Sequence, residues 1–378
     1  MYIVCVHQGV ELYGSDRSFL LVVEGIRRRW PDARIKVVLP AVGPLNERLA
    51  AIVDRVEVRS LDILRLAEPV RTIFKSTVGL PWYVGHALRD LLQADLLYIN
   101  TVVVADYILA ARFCSSRSVI HVHEIPKPKA MAVFRGLCRY AKAALIFNSA
   151  ATAQAFGFGD DVRQEIVHNG VEPVHGATVP DLPSRFDEAR PMRIALLGRI
   201  NSWKGQDLLI EAVARLSSAD RDRLRVRIVG STFGGATVPV DALRQQIAHH
   251  GLQDVVTLEP FQDDPGDIYR WADISVVPSR QPEPFGMVAI EAMAHGRPVI
   301  AAAHGGLTEI VDESSGWFFP PNDAGALAAA ISHAVNHPDE LRVRAEGALA
   351  RFIDRFSVAQ MQQHLGVTLA SWMGPEKG

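Results

Sequence analysis

Short runs of consecutive apolar residues, rich in Val, Ile and Leu, alternate along the whole chain with longer stretches in which apolar positions recur at helical spacing. The short runs are Tyr2–Val6, Ile35–Leu39, Leu96–Ile99, Ser118–His121 and Ala144–Phe147 in the first half. Arg193–Leu197, Arg225–Val229, Val255–Leu258, Ile274–Val277 and Pro298–Ala302 follow in the second. A strand that is apolar at every position is covered on both faces, so the alternation predicts parallel sheets flanked by helices. One α/β unit can be followed residue by residue. Met287 to His295 is apolar at helical spacing, Gly296 supplies a left-handed cap, and Pro298 stops the helix as the run PVIAAA begins.

Between Val171 and Met192 the pattern breaks down into VEPVHGATVPDLPSRFDEARPM, with four prolines and few periodic apolar positions. The pattern resumes with RIALLG, as a second domain would. The expected organisation is a Rossmann-like domain over 1–175, a linker over 176–191 and a second Rossmann-like domain over 192–355. At 378 residues the chain has the length for two cores. Two doubly wound α/β domains would leave a crevice at the carboxyl ends of their strands, where ligands bind in this architecture.

Composition narrows the class. Apolar residues make up 48% and charged residues 22%, the balance of a globular protein with large buried sheets. Cys5, Cys114 and Cys138 are scattered and odd in number, which argues against a disulfide framework or a zinc knuckle. The opening MYIVCVHQG is apolar only as far as Val6 and has no basic stretch, so it reads as a buried strand rather than an export signal. No run approaches the roughly 18 apolar residues of a membrane span. A cytoplasmic protein is the expectation, with no nucleic-acid partner. The net charge of −2 hides an asymmetry, because residues 1–180 carry 21 Lys and Arg against 17 Asp and Glu. A basic first half suits an anionic partner such as a phospholipid surface, although an ordinary fluctuation of charge would read the same way.

Four segments carry candidate chemistry. In PSRQPEPFGMVAIEAMAHGRPVIAAA, Glu283 sits in a Pro-bounded loop and Glu291 lies on the helix that follows the Phe285-Gly286 pair. Free N–H groups at a helix start attract phosphate, and Gly286 lets a ligand approach closely. Glu291, among Ala and Met, needs hydrogen-bond donors such as ribose hydroxyls, and Glu283 is placed to accept from a sugar. The plain alternative is a loop glutamate beside a helix glutamate. In GRINSWKG, Arg199 and Lys204 follow a strand, where two cations suit a diphosphate leaving group; two solvated cations would look alike. In HVHE, His121 and His123 share one face of a strand. Zinc ligation lacks a third ligand at a recognised spacing, so His121 reads as a core histidine and His123 as a hydrogen-bonding partner for a sugar hydroxyl. In YGSDRS, Gly14 and Ser15 begin a loop that could close over phosphate, while Ser15 or Asp16 could equally cap a helix. A further loop with Gly230, Gly234 and Gly235 lacks the dinucleotide-binding order.

Together these segments resemble the large retaining glycosyltransferase family of GT-B fold often called family 4. Its hallmark Glu-x7-Glu is present as Glu283 and Glu291 in EPFGMVAIE, and its other elements as Gly198-Arg199, Lys204-Gly205, Asn169-Gly170, Gly305-Gly306 and Glu309. The resemblance implies two doubly wound Rossmann-like domains facing across a central cleft, with a C-terminal helix from about 356 to 378 crossing back to the first. It assigns Gly198, Arg199 and Lys204 to the donor diphosphate and Glu291 to the ribose. Glu283, with the backbone around Phe285, Gly286 and Met287, falls to the donor sugar, and His123 to the reacting centre. One departure stands out: the family's Gly-Gly-x-x-Arg loop is Gly14-Ser15-Asp16-Arg17 here, and the Ser15 Cβ narrows it.

The function so implied is metal-independent, retaining transfer of a hexose-type sugar from a nucleoside-diphosphate sugar, with no cofactor and no metal. The acceptor would be a hydroxyl, plausibly of a lipid-linked or cell-envelope glycan. A nucleotide-sugar 2-epimerase of the same fold and a non-catalytic sugar-nucleotide-binding protein are the competing readings. Residues 65–150 carry 11 Lys and Arg against 5 Asp and Glu, which suggests peripheral attraction to anionic membrane at its inner face. Trp82, Tyr83, Lys127 and Lys129 are the candidates to touch it.

Overall fold

The computed structural model describes residues 1–12, 14–64, 69–232, 238–262 and 264–373, with the side chains of 69–80 and 238 excepted. Tyr13, Gly234 and Gly235 lie outside the described residues. The chain divides into two compact units, Met1–Gly170 with Val358–Gly378, and Val171–Ser357.

The first unit is built on strands β1 (Tyr2–Val6), β2 (Arg34–Leu39), β3 (Arg55–Val58), β4 (Leu96–Ile99), β5 (Ser118–Val122), β6 (Ala144–Phe147) and β7 (Gln164–Ile166). They pair in the order β3-β2-β1-β4-β5-β6-β7, parallel throughout. The second unit repeats the scheme with β8 (Met192–Leu197), β9 (Leu224–Val229), β10 (Val256–Glu259), β11 (Ile274–Val277), β12 (Val299–Ala302) and β13 (Gly316–Phe319). Their order, β10-β9-β8-β11-β12-β13, is again parallel. Both are doubly wound sheets whose direction of winding reverses once, at β1/β4 and at β8/β11. Chain segments diverge above those points and leave room for a ligand at the carboxyl ends.

The ten expected strands are all present. The three that the apolar pattern missed, β3, β7 and β13, are edge strands. An edge strand is covered less completely, and RVEV and QEI accordingly mix polar with apolar positions.

Residues 176–191, expected as a linker, contain no helix or strand but pack on the second unit. Leu182 and Phe186 are buried in its core beside the sheet. Arg190 grips the buried Asp273 with two hydrogen bonds of 2.8 Å each. Arg297 donates to the Thr178 carbonyl at 2.9 Å and Arg342 to that of Leu182 at 2.7 Å. Val171 pairs with Ser357, so the second unit starts and finishes at one place.

The last helix, Val358–Met373, completes the core of the first unit. Val358, Met361, Leu365 and Leu369 pack with Phe19, Val22 and Ile26 of the helix Gly14–Arg29. A Cβ on Gly25 would stand 2.8 Å from Gln362 Cγ, so this crossing requires glycine. Leu365 is 1% exposed. Leu365→Ala should therefore cost about 2–5 kcal/mol of stability. In urea titrations the transition of the first unit should move to lower denaturant, leaving that of the second in place.

Candidate active site

In the second unit three loops after β8, β11 and β12 are fastened to one another. The loop after β8 turns at Gly198 (φ +150°) and Gly205 (φ +75°), and a Cβ on Gly205 would lie 2.0 Å from the Pro278 carbonyl oxygen. The Asn201 carboxamide oxygen accepts from the backbone N–H of Trp203 at 2.9 Å and of Lys204 at 3.0 Å. The Lys204 ammonium sits 5.2 Å from the centre of the Trp203 ring and 2.7 Å from Glu283 Oε1. Ser279, on the loop after β11, donates its hydroxyl to the same oxygen. Glu283 is only 4% exposed, and a carboxylate so placed needs hydrogen-bond donors in place of the water it has lost.

The backbone around Glu283 is held as tightly as its side chain. The Gly306 N–H donates to the Glu283 carbonyl at 2.8 Å. Added Cβ atoms on Gly305 and Gly306 would come within 2.5 Å of Glu283 O and of Phe285 Cα, so the Gly-Gly pair fits a space with no room for side chains. Phe285 is buried, and Gly286 has φ +130° with a would-be Cβ 2.7 Å from Leu307 Cδ2. The helix Met287–Ala294 begins there with Gly286 as its N-cap, so no capping side chain takes its first N–H groups. Glu291 is half-buried on this helix and lies 3.2 Å from the Tyr269 hydroxyl. Burial and that carboxylate keep Tyr269 protonated, its pKa well above the ordinary value. Arg199 is exposed on the β8 loop, its carbonyl accepting from Gln206 Nε2 at 2.9 Å.

In the first unit the polar residues that follow β1, β4 and β5 converge. His7 Nε2 lies 2.7 Å from Asp16 Oδ1, and both residues are buried. His7 Nδ1 lies 3.1 Å from Asn100 Nδ2, and Asn100 Oδ1 lies 3.0 Å from His123 Nε2. His123 also stacks at 3.9 Å, between ring centres, on His121. His121 in turn is hydrogen-bonded to Tyr98 through Nδ1. Burial, and then the neighbouring His7, push His123 down to about 3, and burial pushes His121 well below its ordinary value, so both rings are neutral at physiological pH. Tyr98 and Asn100 each take one nitrogen of these rings. Among the described residues no group of three His, Cys, Asp or Glu side chains is placed to share a metal.

Gly14 and Ser15 are exposed at the start of the helix Gly14–Arg29, and Asp16, one residue on, turns inward to His7. Its second oxygen accepts from the Glu11 N–H at 3.1 Å. The residues that the sequence reading did not single out are His7, Asn100 and Ser279, each just past the carboxyl end of a central strand. A polar residue ending an apolar run beside a switch point is the signal that would have found them.

Residues 185–349, which hold all the second-unit residues named above, match the family described as glycosyl transferases group 1. A curated D-inositol 3-phosphate glycosyltransferase of Geodermatophilus obscurus is 35% identical over 239 residues, covering 56% of this chain and 53% of the relative. Another, of Frankia alni, is 38% identical over 164 residues, 42% of this chain and 40% of the relative. The chain thus spans about half the length, or less, of the curated relatives it matches. HepE of Anabaena, solved in complex with UDP, superposes with a TM-score of 0.79 at 25% identity over 98% of this chain and 100% of that one. Its complex with UDP-glucose gives 0.76 at 26% identity, with 98% and 100% covered. The fold is that of the GT-B proteins, with two Rossmann-like units in parallel α/β form. The likeness to the group 1 glycosyl transferases is carried by residues 185–349 of the second unit.

Glu124, beside His123, yields a test of the first-unit cluster. Its Oε1 receives only long contacts, 3.5 Å from Gln8 and 3.4 Å from Thr101, and its Oε2 is buried without a partner. Burial pushes this carboxyl up from 4.5 to about 7. The folded state then holds a proton that the unfolded state has lost, so stability falls as pH rises from about 4.5 through about 7. Glu124→Gln should make stability fall less, or rise more, between pH 5 and pH 8 than in the wild type, read as melting temperature. Asp106, also raised to about 7 by burial, acts in the same direction, and His121 and His123, lowered by burial, act in the opposite one below about pH 6.5.

Proposed function

We propose that this chain is a metal-independent, retaining glycosyltransferase that moves a hexose-type sugar from a uridine-diphosphate sugar to a hydroxyl acceptor. The observation that carries the reading is the buried Lys204–Glu283 pair, 2.7 Å long, next to the uncapped helix start at Gly286. An ammonium has three N–H donors. One faces Glu283, and two remain for the diphosphate, with Arg199 as the second cation. Glu291 takes the ribose hydroxyls. Glu283 and the backbone of Phe285, Gly286 and Met287 hold the sugar, and Gly198 keeps the phosphate side clear. From the first unit we assign His123 to a hydroxyl of the transferred sugar and Gly14 and Ser15 to phosphate.

In the step itself, the bond between the sugar C1 and the β-phosphate oxygen breaks, and the acceptor oxygen bonds C1 on the face that the nucleotide leaves. The acceptor proton passes to the departing phosphate oxygen. Charge builds on the diphosphate, so fixed cations and helix N–H groups, rather than a protein nucleophile, lower the barrier. Uridine as the base is supported by HepE, which was solved with UDP and with UDP-glucose.

The acceptor we propose is a lipid-linked or cell-envelope glycan reached from the cytoplasmic face of a membrane. Trp82 is 71% exposed, and Tyr140 and Val133 are also exposed on the helix Pro128–Ala141, near Lys129 and Arg139. No helix of the described residues is long and apolar enough to cross a membrane. Binding to vesicles of anionic phospholipid should fall as salt rises and should weaken in Lys127→Glu with Lys129→Glu; salt-independent binding, or none, excludes this surface.

The donor site is tested by thermal stabilisation with nucleoside diphosphates and their sugars, without added metal. A saturable shift with the uridine compounds is expected, lost in Lys204→Ala, together with a fall of about 100- to 1000-fold in turnover. Stabilisation by no nucleotide would exclude the donor site, and binding without turnover would favour the sugar-nucleotide-binding alternative.

A further inference from the structure

The cluster that ends at His123 has a direction. A carboxylate only accepts hydrogen bonds, so Asp16 requires the proton of His7 on Nε2. That leaves a lone pair on His7 Nδ1, which the Asn100 side chain can meet only with its NH2 group. The Asn100 oxygen must then face His123, and His123 must donate to it from Nε2. With a neutral His7, the chain of 2.7, 3.1 and 3.0 Å contacts therefore has a single consistent set of proton positions. From it we infer that Asp16, acting through His7 and Asn100, locks His123 in the neutral tautomer whose free Nδ1 is a hydrogen-bond acceptor. Asp16, His7 and Asn100 are positioning residues, and His123 is the group that meets the ligand.

Independent features of the structure support the same arrangement. No protein group bonds His123 Nδ1 among the described residues, and this nitrogen is not among the buried unpartnered atoms, so it remains open to a ligand. Gly9 is required for the Asp16–His7 contact, because a Cβ there would stand 2.0 Å from Asp16 Oδ1 and 3.1 Å from His7 Nε2. The His7 ring is stacked on Phe19 at 4.6 Å, which fixes its plane. Both oxygens of Asp16 are satisfied, the second by the Glu11 N–H. Asp16 also lies in the first turn of the helix Gly14–Arg29, where the helix dipole favours a negative charge. An ionised anchor at one end and a neutral imidazole at the other is an arrangement in which a carboxylate selects a tautomer at a distance, the role that the buried Asp plays one bond away in serine proteases.

The use of this tautomer rests on the transferase reading. There, an acceptor nitrogen at His123 selects a ligand hydroxyl as donor and holds it in one orientation. A tautomer with the proton on Nδ1 would present a donor in its place, and the same hydroxyl would have to turn its lone pair toward the ring.

The tautomer itself can be read without any ligand. In the full chain labelled with nitrogen-15 histidine, at pH 7.5, long-range nitrogen–proton spectra distinguish Nδ1–H from Nε2–H, and His123→Gln assigns the signal. The wild type should show His123 with its proton on Nε2 alone. In Asp16→Asn the new amide can present either group to His7, so His123 should become a mixture of tautomers although the substitution is three links away. In Asn100→Leu, His123 should again be mixed while His7 keeps its proton on Nε2. His123 protonated on Nδ1 or on both nitrogens in the wild type, or an unmoved His123 signal in both variants, overturns the inference. The wild-type spectrum decides even if a variant does not fold. In turnover, Asn100→Leu should lower kcat about 100-fold with little change in KM for the nucleotide sugar; full activity in this variant also overturns it. A correct tautomer pattern in a protein that transfers no sugar would support the relay and remove the transferase reading.

Discussion

Glu283 is held from three sides. Its carboxylate takes the Lys204 ammonium from the loop after β8 and the Ser279 hydroxyl from the loop after β11, and its carbonyl takes the Gly306 N–H from the loop after β12. Three chain segments that approach one another only because β8, β11 and β12 are neighbours in the sheet are thereby fixed as one piece. Removing any of the three donors would leave a buried acceptor short of a partner. The shape of these three loops, and the position of the helix start at Gly286, follow from satisfying this single residue.

The first unit meets a similar demand with a different chemistry. Where the second unit gathers a cation and an anion, the first gathers three imidazole rings. Two of them, His121 and His123, are kept uncharged by burial. The negative charge sits at the far end of the cluster, on Asp16, where two donors and a helix start stabilise it. A ligand at His123 thus meets a neutral, directional group, whereas one at Lys204 meets a charge.

Most of this architecture was legible in the amino-acid order because central parallel strands leave an unbroken apolar trace. The runs at Tyr2–Val6, Leu96–Ile99, Ala144–Phe147 and Ile274–Val277 coincide with strands to the residue. The edge strands β3 and β7 left no such trace, since a strand covered on fewer sides keeps polar residues. The Lys204–Glu283 contact joins positions far apart in the chain, and the sequence named both residues without giving any reason for them to touch. The glycines at 305 and 306 are explained only by distances, as the room a Cβ would need is already filled. The contact of Asp16 with His7 was hidden for a similar reason: an acid near a helix start looks like a cap, and only the approach of the residue after β1 reveals His7 as a partner. The proline-rich stretch misled in the opposite way. It has no regular structure, yet Arg190, Arg297 and Arg342 bind its backbone or its flank to the second unit, so irregular did not mean loose.

The last helix carries a consequence for how the protein is made. Val171 and Ser357 pair where the second unit opens and closes, so that unit is a complete insertion between two parts of the first. During synthesis every residue of the second unit leaves the ribosome before Val358, Met361, Leu365 and Leu369 exist to cover Phe19 and Ile26. Domains generally fold in the order in which they emerge. Here the order is inverted, for the unit begun first is the one finished last. Until then an apolar face on the helix Gly14–Arg29 stays uncovered, and the nascent first unit is a natural client for chaperones.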